Sequence, residues 1–209
     1  MPEAITVERL EGQPSREEAE PLLAEKILLL HDALVEAEIP HALGGGHATA
    51  FYRRRRTTID IDMAIFVTKE KVDSVLKPIR DLTGISWKEK EKVKKQIKEH
   101  DQAVTHWGRT RIDLFFSVGE FHDTVQERVV EKDIKGRKIP VISAEDIIIF
   151  KSLFGRSHDW ADIEEICEAQ GDALDLDYLQ YWLELIPDDD GDRVRRVTEV
   201  YRKHTAEKS

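Results

Sequence analysis

Residues 45–62 read GGHATAFYRRRRTTIDID, and the order of residue types in this stretch decides the fold that we predict. The stretch ends in Asp60-Ile61-Asp62, which opens an apolar run that continues to Val67. Side chains alternate between the faces of a strand, so Asp60 and Asp62 lie on one face and Ile61 on the other. Like charges this close repel each other unless a cation lies between them. The pattern therefore predicts a strand that carries a divalent-metal site, although a lone pair of aspartates is often only surface decoration.

A glycine pair, Gly45 and Gly46, begins the same stretch. It follows a short apolar segment at residues 41–43, which we predict to be a strand, and it precedes a helix-compatible segment. Backbone N–H groups at a helix N-terminus attract phosphate, and glycine lacks the Cβ that would keep a triphosphate away from the backbone. Two glycines after a strand are more often only a turn. With the aspartates at this spacing, we predict that the pair binds the phosphates of a nucleotide.

A third carboxylate, Asp113, stands in the apolar segment RIDLFF at residues 111–116. As a strand, this segment would lie beside the strand that carries Asp60 and Asp62. Three carboxylates around one hollow can hold two Mg²⁺ ions about 4 Å apart, which clamp the attacking and departing oxygens of phosphoryl transfer. We therefore predict two Mg²⁺ ions, with Mn²⁺ as the alternative metal, bound by Asp60, Asp62 and Asp113. Asp113 would also orient or deprotonate the acceptor hydroxyl.

Composition limits the class of protein. The chain has 209 residues, of which 40% are hydrophobic and 35% charged, and this predicts a soluble globular protein of one domain or one domain with a small appendage. No apolar run is long enough to span a membrane, and the N-terminus lacks the apolar region of a signal peptide. Together with the single cysteine, Cys167, these features favour the cytoplasm. The net charge of −10 argues against a generally basic nucleic-acid binder, although residues 53–56 and 88–98 form local basic patches.

The order of the predicted elements indicates an α+β fold. Residues 87–99 fit either a helix or a charged edge segment. We predict a mixed αβ core at residues 1–142 and a C-terminal helical region at residues 143–209 that packs on the core. The predicted strands are residues 41–43, 59–67, 103–107 and 111–117, with a further hairpin around residues 135–137.

The spacing of the glycines and aspartates resembles that of a known family. The nucleotidyltransferase superfamily related to DNA polymerase β, in particular its branch of AbiEii-like toxins and small uncharacterised relatives, has Gly-Gly after an apolar strand, an alanine two residues on, and then Arg-x-Thr-x-Asp-x-Asp. The resemblance covers about residues 25–170. The residues that match the family pattern are Gly45, Gly46, Ala48, Arg56, Thr58, Asp60 and Asp62, then Asp113, and in the C-terminal part Lys151, Arg156, Asp159 and Asp162.

The resemblance implies a nucleotidyltransferase-like mixed sheet flanked by helices, the use of a metal and the binding of an NTP such as ATP. It assigns nucleotide binding to Gly45, Gly46, Arg56, Thr58 and Lys151. Lys151 would reach the triphosphate from an apolar helix face, and the alternative is a lysine that extends into solvent at the helix edge.

Two positions depart from the family pattern. Many members carry Gly-Ser where this chain has Gly45-Gly46, so backbone contacts must replace a hydroxyl contact to phosphate. Arg53 stands where the family usually has glycine, and it begins a run of four arginines. We expect residues 53–55 to lie in a solvated turn, with contact to a polyanionic acceptor as the alternative.

The main functional hypothesis is a Mg²⁺-dependent nucleotidyltransferase that moves an NMP from an NTP to an acceptor hydroxyl and releases pyrophosphate. The sequence leaves the acceptor open among RNA, a protein side chain and a small molecule. A first alternative is a toxin–antitoxin component that acts through an antitoxin partner and whose nucleotide site is secondary or vestigial. A second alternative is an RNA-binding or RNA-modifying protein that contacts the RNA backbone through residues 53–56 and 88–98.

Overall fold

A mixed sheet of six strands forms the centre of the described part of the chain in a computed structural model. The structure describes residues 20–53, 58–187 and 192–206. The order across the sheet is β3-β4-β2-β1-β6-β5, where the strands are β1 (His41–Leu43), β2 (Ile61–Ile65), β3 (Gln102–Trp107), β4 (Thr110–Phe116), β5 (Val130–Ile134) and β6 (Arg137–Val141). β2 runs parallel to β4 and antiparallel to β1, and β1 runs parallel to β6.

Nine α-helices accompany the sheet in the described ranges. They are α1 (Leu23–Glu36), α2 (Gly45–Thr49), α3 (Val72–Thr83), α4 (Trp87–His100), α5 (Gly119–Glu127), α6 (Ala144–Phe154), α7 (Ser157–Gln170), α8 (Leu176–Leu185) and α9 (Asp192–Ala206). α1 packs on α3, α4 on β3 and α2 on β2, whereas α6 to α9 pack on one another and α6 also contacts α2. The predicted α+β architecture with its C-terminal run of helices is confirmed. The division into residues 1–142 and 143–209 stays a prediction.

No helix among the described residues is both long and apolar enough to cross a membrane.

The alternation of side chains along β2 and β4 separates a core face from a polar face. Asp62 is the register partner of Asp113 across these parallel strands, so both carboxylates lie on the polar face. A slip of one residue would exchange the two faces, and burial of each apolar side chain is worth about 1.5–3 kcal/mol. The core residues therefore fix where the aspartates lie. Those core residues are Ile61, Met63 and Ile65 of β2 and Ile112, Leu114 and Phe116 of β4.

The ambiguous segment at residues 87–99 is the helix α4. Its first turn is capped by Ser86, whose hydroxyl oxygen accepts a hydrogen bond from the Glu89 backbone N–H at 3.2 Å. Val93 and Ile97 are buried one turn apart. Two apolar positions among so many charged residues give a weak helical period, which is why the sequence alone left both alternatives open.

Candidate functional site

A single cavity brings together the predicted site residues that the structure describes. Its volume is about 630 Å³, and it lies on the polar face of β2 and β4, with α6 and α7 supplying another wall. Arg56 is also a predicted site residue, but it lies outside the described residues. The roles of all these residues stay predictions. The predicted residues that line the cavity are Gly45, Gly46, Thr58, Asp60, Asp62, Asp113 and Lys151.

The carboxylates come from two neighbouring strands. Asp62 and Asp113 are directly paired across β2 and β4, and Asp60 lines the cavity just before β2 begins. Asp113 is buried, and one of its oxygens accepts a hydrogen bond from Arg111 Nη2 at 2.7 Å. This carboxylate raises the pKa of the Arg111 guanidinium. Arg111 stands two residues before Asp113 on the same strand face, so it neutralises one of the three carboxylates locally.

The protein environment destabilises the charged form of the Asp62 carboxylate. Burial raises the pKa of Asp62 to about 6, and the neighbouring carboxylates Asp113 and Asp60 add to the rise. The backbone N–H of Gly46 donates a hydrogen bond to the Asp62 carboxylate and opposes the rise. A group in this environment gains most from a nearby cation, because a positive charge would relieve both the desolvation and the repulsion.

The glycine pair lies against the same carboxylate. Gly45 has a φ of 51°, in the left-handed region that favours glycine. A Cβ at this position would stand 2.0 Å from Asp62 Oδ2, and a Cβ on Gly46 would stand 3.0 Å from Thr58. Any side chain at position 45 would therefore displace the Asp62 carboxylate. The chain uses glycine here so that backbone and carboxylate share one narrow space.

The three carboxylates fit a hard divalent cation in donor chemistry, since Mg²⁺ prefers carboxylate oxygens. However, among the residues that the structure describes, no three His, Cys, Asp or Glu side chains form a group that could hold a metal ion. The binding of a metal by Asp60, Asp62 and Asp113 stays a prediction. Arg111 bonds to one oxygen of the Asp113 carboxylate, and the second oxygen of this group can still accept a cation.

Lys151 on α6 lies inside the cavity wall. Its ammonium donates to Asp162 at 2.6 Å and to Asp159 at 3.4 Å, and the residue is only 9% exposed. The alternative of a lysine that extends into solvent is therefore wrong. Both aspartates lie on α7, so Lys151 ties the two C-terminal helices together at the edge of the site.

The expectation that residues 53–55 lie in a solvated turn is wrong for Arg53. Its side chain is only 4% exposed, and it pairs with Asp162 at 3.0 Å and with Glu165. These two acids are three residues apart on α7 and so present their carboxylates on one helix face. The spacing of the two acids is visible in the sequence, but nothing in the sequence identifies Arg53 as their partner. Arg54 and Arg55, which shared the expectation, lie outside the described residues.

Another part of the cavity is lined by aromatic side chains, which the sequence did not indicate. Phe115 of β4, His122 of α5, and Phe150 and Phe154 of α6 line this end. In sequence each belongs to an apolar or amphipathic pattern, and no local signal separates a cavity wall from an ordinary core position. We refer to this part of the cavity, with Gln102 of β3, as the aromatic end.

The chain is similar to known nucleotidyl transferases. The family described as "Nucleotidyl transferase of unknown function (DUF2204)" matches residues 24–199. No curated protein matches the chain.

Three solved structures show a partial likeness to this chain. The lincomycin-bound lincosamide antibiotic adenylyltransferase LnuA is 17% identical over 68% of this chain and 94% of its own, with a TM-score of 0.47. The antibiotic-resistance factor ANT(2'')-Ia is 18% identical over 88% and 89%, with a TM-score of 0.44. A putative nucleotidyltransferase from H. pylori is 12% identical over 88% and 95%, with a TM-score of 0.45. At these scores the three likenesses add nothing about substrate or mechanism.

Proposed function

The chain belongs to the nucleotidyl transferase family that matches residues 24–199, and we propose that it moves a nucleoside monophosphate from an NTP to an acceptor hydroxyl. The hydroxyl oxygen forms a bond to the α-phosphorus, the bond from that phosphorus to the bridging oxygen breaks, and pyrophosphate leaves. The hydroxyl proton passes to a base. The observation that best supports the proposal is that Gly45 and Gly46, which we call the glycine turn, line the same cavity as the paired carboxylates of Asp62 and Asp113. A phosphate-binding turn next to a group that accepts a proton suits this displacement.

The roles of the cavity residues follow from their places around it. We assign the phosphates to the backbone of Gly45 and Gly46 and to Thr58, which packs against Gly46. Lys151 offers a positive charge from the opposite wall. Asp113 orients the acceptor hydroxyl and accepts its proton, because it is the carboxylate farthest from the glycine turn in the strand order.

The metal belongs to the proposal as well. We propose Asp60, Asp62 and Asp113 as the ligands of Mg²⁺, with Mn²⁺ as the alternative. When bound, the metal would neutralise the carboxylates and stabilise the negative charge of the transferring phosphate. The strand pairing of Asp62 and Asp113 and the raised pKa of Asp62 support this assignment.

The two alternative functions stay hypotheses. A toxin–antitoxin role predicts an obligate small partner that co-purifies with the chain. An RNA-directed role predicts binding that weakens steeply with salt. For the latter, Arg53 is no longer a candidate contact, because its guanidinium is buried and paired with α7.

Labelled substrates test the proposed reaction. The protein is incubated with each α-labelled NTP, Mg²⁺ and cell extract, and the labelled macromolecule or metabolite is identified. Asp60→Asn should abolish transfer with little change in stability. Asp177→Asn, which alters an exposed aspartate of α8, is the matched control and should transfer normally. An Asp60→Asn variant with full activity would disprove the assignment.

A further inference from the structure

The aromatic end lies on the acceptor side of the site. Across the sheet, the glycine turn follows β1, Asp62 lies on β2, Asp113 on the next strand β4, and Gln102 on the edge strand β3. Phe115 is two residues beyond Asp113 on the same strand face, about 7 Å along the strand. A group in the aromatic end is thus separated from the glycine turn by the carboxylates. This places it where the acceptor, rather than the phosphates, would lie.

The aromatic end contains a hollow because a small residue pairs with a large one across neighbouring strands. Phe115 pairs with Ala64 on one side and with Gln102 on the other. The methyl group of Ala64 leaves a hollow beside the Phe115 ring. Phe154 meets Phe115 edge to face at 6.5 Å and is itself 51% exposed. A half-exposed phenylalanine at the rim of a hollow offers apolar surface that a flat ligand would cover.

His122 gives the aromatic end one hydrogen-bond acceptor. Its Nδ1 lies 2.9 Å from the carbonyl oxygen of Val118, and because a carbonyl only accepts, Nδ1 carries the proton. Burial lowers the pKa of His122, so the ring is neutral and Nε2 has a free lone pair. No hydrogen bond from any residue in the described ranges occupies Nε2. The imidazole contacts Phe150 at 5.5 Å between ring centroids, which holds it at the cavity wall.

Among the described residues, the aromatic end has no carboxylate in its own lining. The carboxylates that line the cavity are Asp60, Asp62 and Asp113 near the strands and Asp159 and Asp162 beside Lys151. The side chains of the aromatic end itself, from β3, β4, α5 and α6, are aromatic or amide groups. Asp101 and Asp123 act on His122 but do not line the cavity. A neutral ligand therefore suits this lining better than a charged one.

We infer that the aromatic end is an acceptor subsite for an uncharged planar ring that carries a hydroxyl or N–H donor. The ring packs on Phe115 and Phe154, and its donor bonds to His122 Nε2. A hydroxyl on the same molecule then reaches the carboxylate of Asp113. The inference rests on the proposed function, since it defines the acceptor of that reaction.

Three small probes test the chemistry separately. Tyrosol has a neutral aromatic ring and two hydroxyl groups. In 4-(aminomethyl)phenethyl alcohol a charged aminomethyl group replaces the ring hydroxyl, and 4-(2-hydroxyethyl)cyclohexanol keeps both hydroxyl groups but lacks the aromatic ring. Each is titrated into the full chain labelled with ¹⁵N, and Kd values come from amide shifts. We expect tyrosol to bind more tightly than the other two. Failure of tyrosol to bind, or tighter binding of the aminomethyl compound, would overturn the inference.

Matched variants locate the binding. Phe115→Leu should weaken tyrosol about threefold to tenfold, the range for loss of one aromatic contact. Phe116→Leu, on the same strand but facing the core, should leave Kd unchanged although it lowers stability. His122→Phe should weaken tyrosol, and His106→Phe, at an exposed position of β3, should not. Unchanged Kd in Phe115→Leu and His122→Phe would refute the site.

A nucleotide titration separates this inference from the proposed function. If Phe115→Leu weakens binding of an NTP but not of tripolyphosphate, the aromatic end holds the nucleobase and the acceptor assignment fails. If tyrosol binds as expected while no NTP supports transfer, the ring site stands and the proposed reaction fails.

Discussion

Replacing Asp62 by asparagine should stabilise the metal-free protein while it destroys the site. The pKa of this carboxyl rises from 3.8 to about 6 on folding, chiefly through burial. At about 1.4 kcal/mol for each pH unit of displacement, the ionised carboxylate costs the folded state about 3 kcal/mol. Asparagine removes this charge and keeps an oxygen that can accept from the Gly46 N–H. We therefore expect Asp62→Asn to raise the free energy of unfolding by about 1–3 kcal/mol at pH 8.

The pH dependence makes this prediction specific. Because the folded pKa is the higher one, the penalty is absent below pH 3.8 and complete above about pH 6. Urea unfolding in EDTA at pH 4, 5, 6 and 8 should show the two proteins converging as the pH falls. Asp177→Asn is the control and should follow the unmodified protein at every pH. A variant that is less stable than the unmodified protein, or a difference that does not change with pH, would refute the reasoning. Added Mg²⁺ should stabilise only proteins that keep the carboxylate.

Three further perturbations have clear expected outcomes. Gly45→Ala should lower the free energy of unfolding by about 1–3 kcal/mol and abolish transfer, because φ at this position is positive and the new Cβ would collide with the Asp62 carboxylate. The control is Gly84→Ala, which also has a positive φ but has nothing within 4 Å of the new Cβ, so it should cost less stability and keep transfer. Equal effects of the two variants on transfer would contradict the argument. Arg53→Met should cost about 1.5–3 kcal/mol, because buried Asp162 loses a charged hydrogen-bond donor, although Lys151 still bonds to it. Thermal unfolding measures this, and a loss below about 1 kcal/mol would show that the pair is solvated. Burial lowers the pKa of both His31 and His41, so protonation of these rings opposes folding. The free energy of unfolding should therefore fall as the pH drops below about 6.5. In urea unfolding, His41→Phe should make the free energy of unfolding depend less on pH in this range, and an unchanged slope would show that other groups cause the pH dependence.

The strand pattern made half of the site predictable. Asp60, Asp62 and Asp113 could be placed because period-two alternation is a local property, and each strand shows it without help from distant residues. The same alternation contained the Arg111–Asp113 pair, since residues two apart share a strand face. The strand pattern alone therefore indicates that Arg111 is a cationic neighbour of Asp113.

The rest of the site depends on contacts between distant parts of the chain. Arg53 and Glu165 are 112 residues apart in sequence, so no local pattern could show that the guanidinium is buried. The aromatic end has the same origin, because Phe115 and Phe154 meet only when α6 packs over β4. A phenylalanine in an apolar strand looks the same in sequence whether it faces a core or a hollow.

The buried charges around Lys151 show how the C-terminal helices belong to the site. Lys151 pairs with Asp159 and Asp162. If these two aspartates had no other cationic partner, they would neutralise the Lys151 charge, and it could not attract phosphate. Arg156 pairs with Asp159 at 2.6 Å, and Arg53 pairs with Asp162 at 3.0 Å and also with Glu165. Each aspartate is therefore shared with a second cation, which leaves part of the Lys151 charge for a ligand. Because Arg53 lies in the turn after α2 and Lys151 lies on α6, the charge around Lys151 depends on the packing of α6 and α7 against the part of the chain that follows β1.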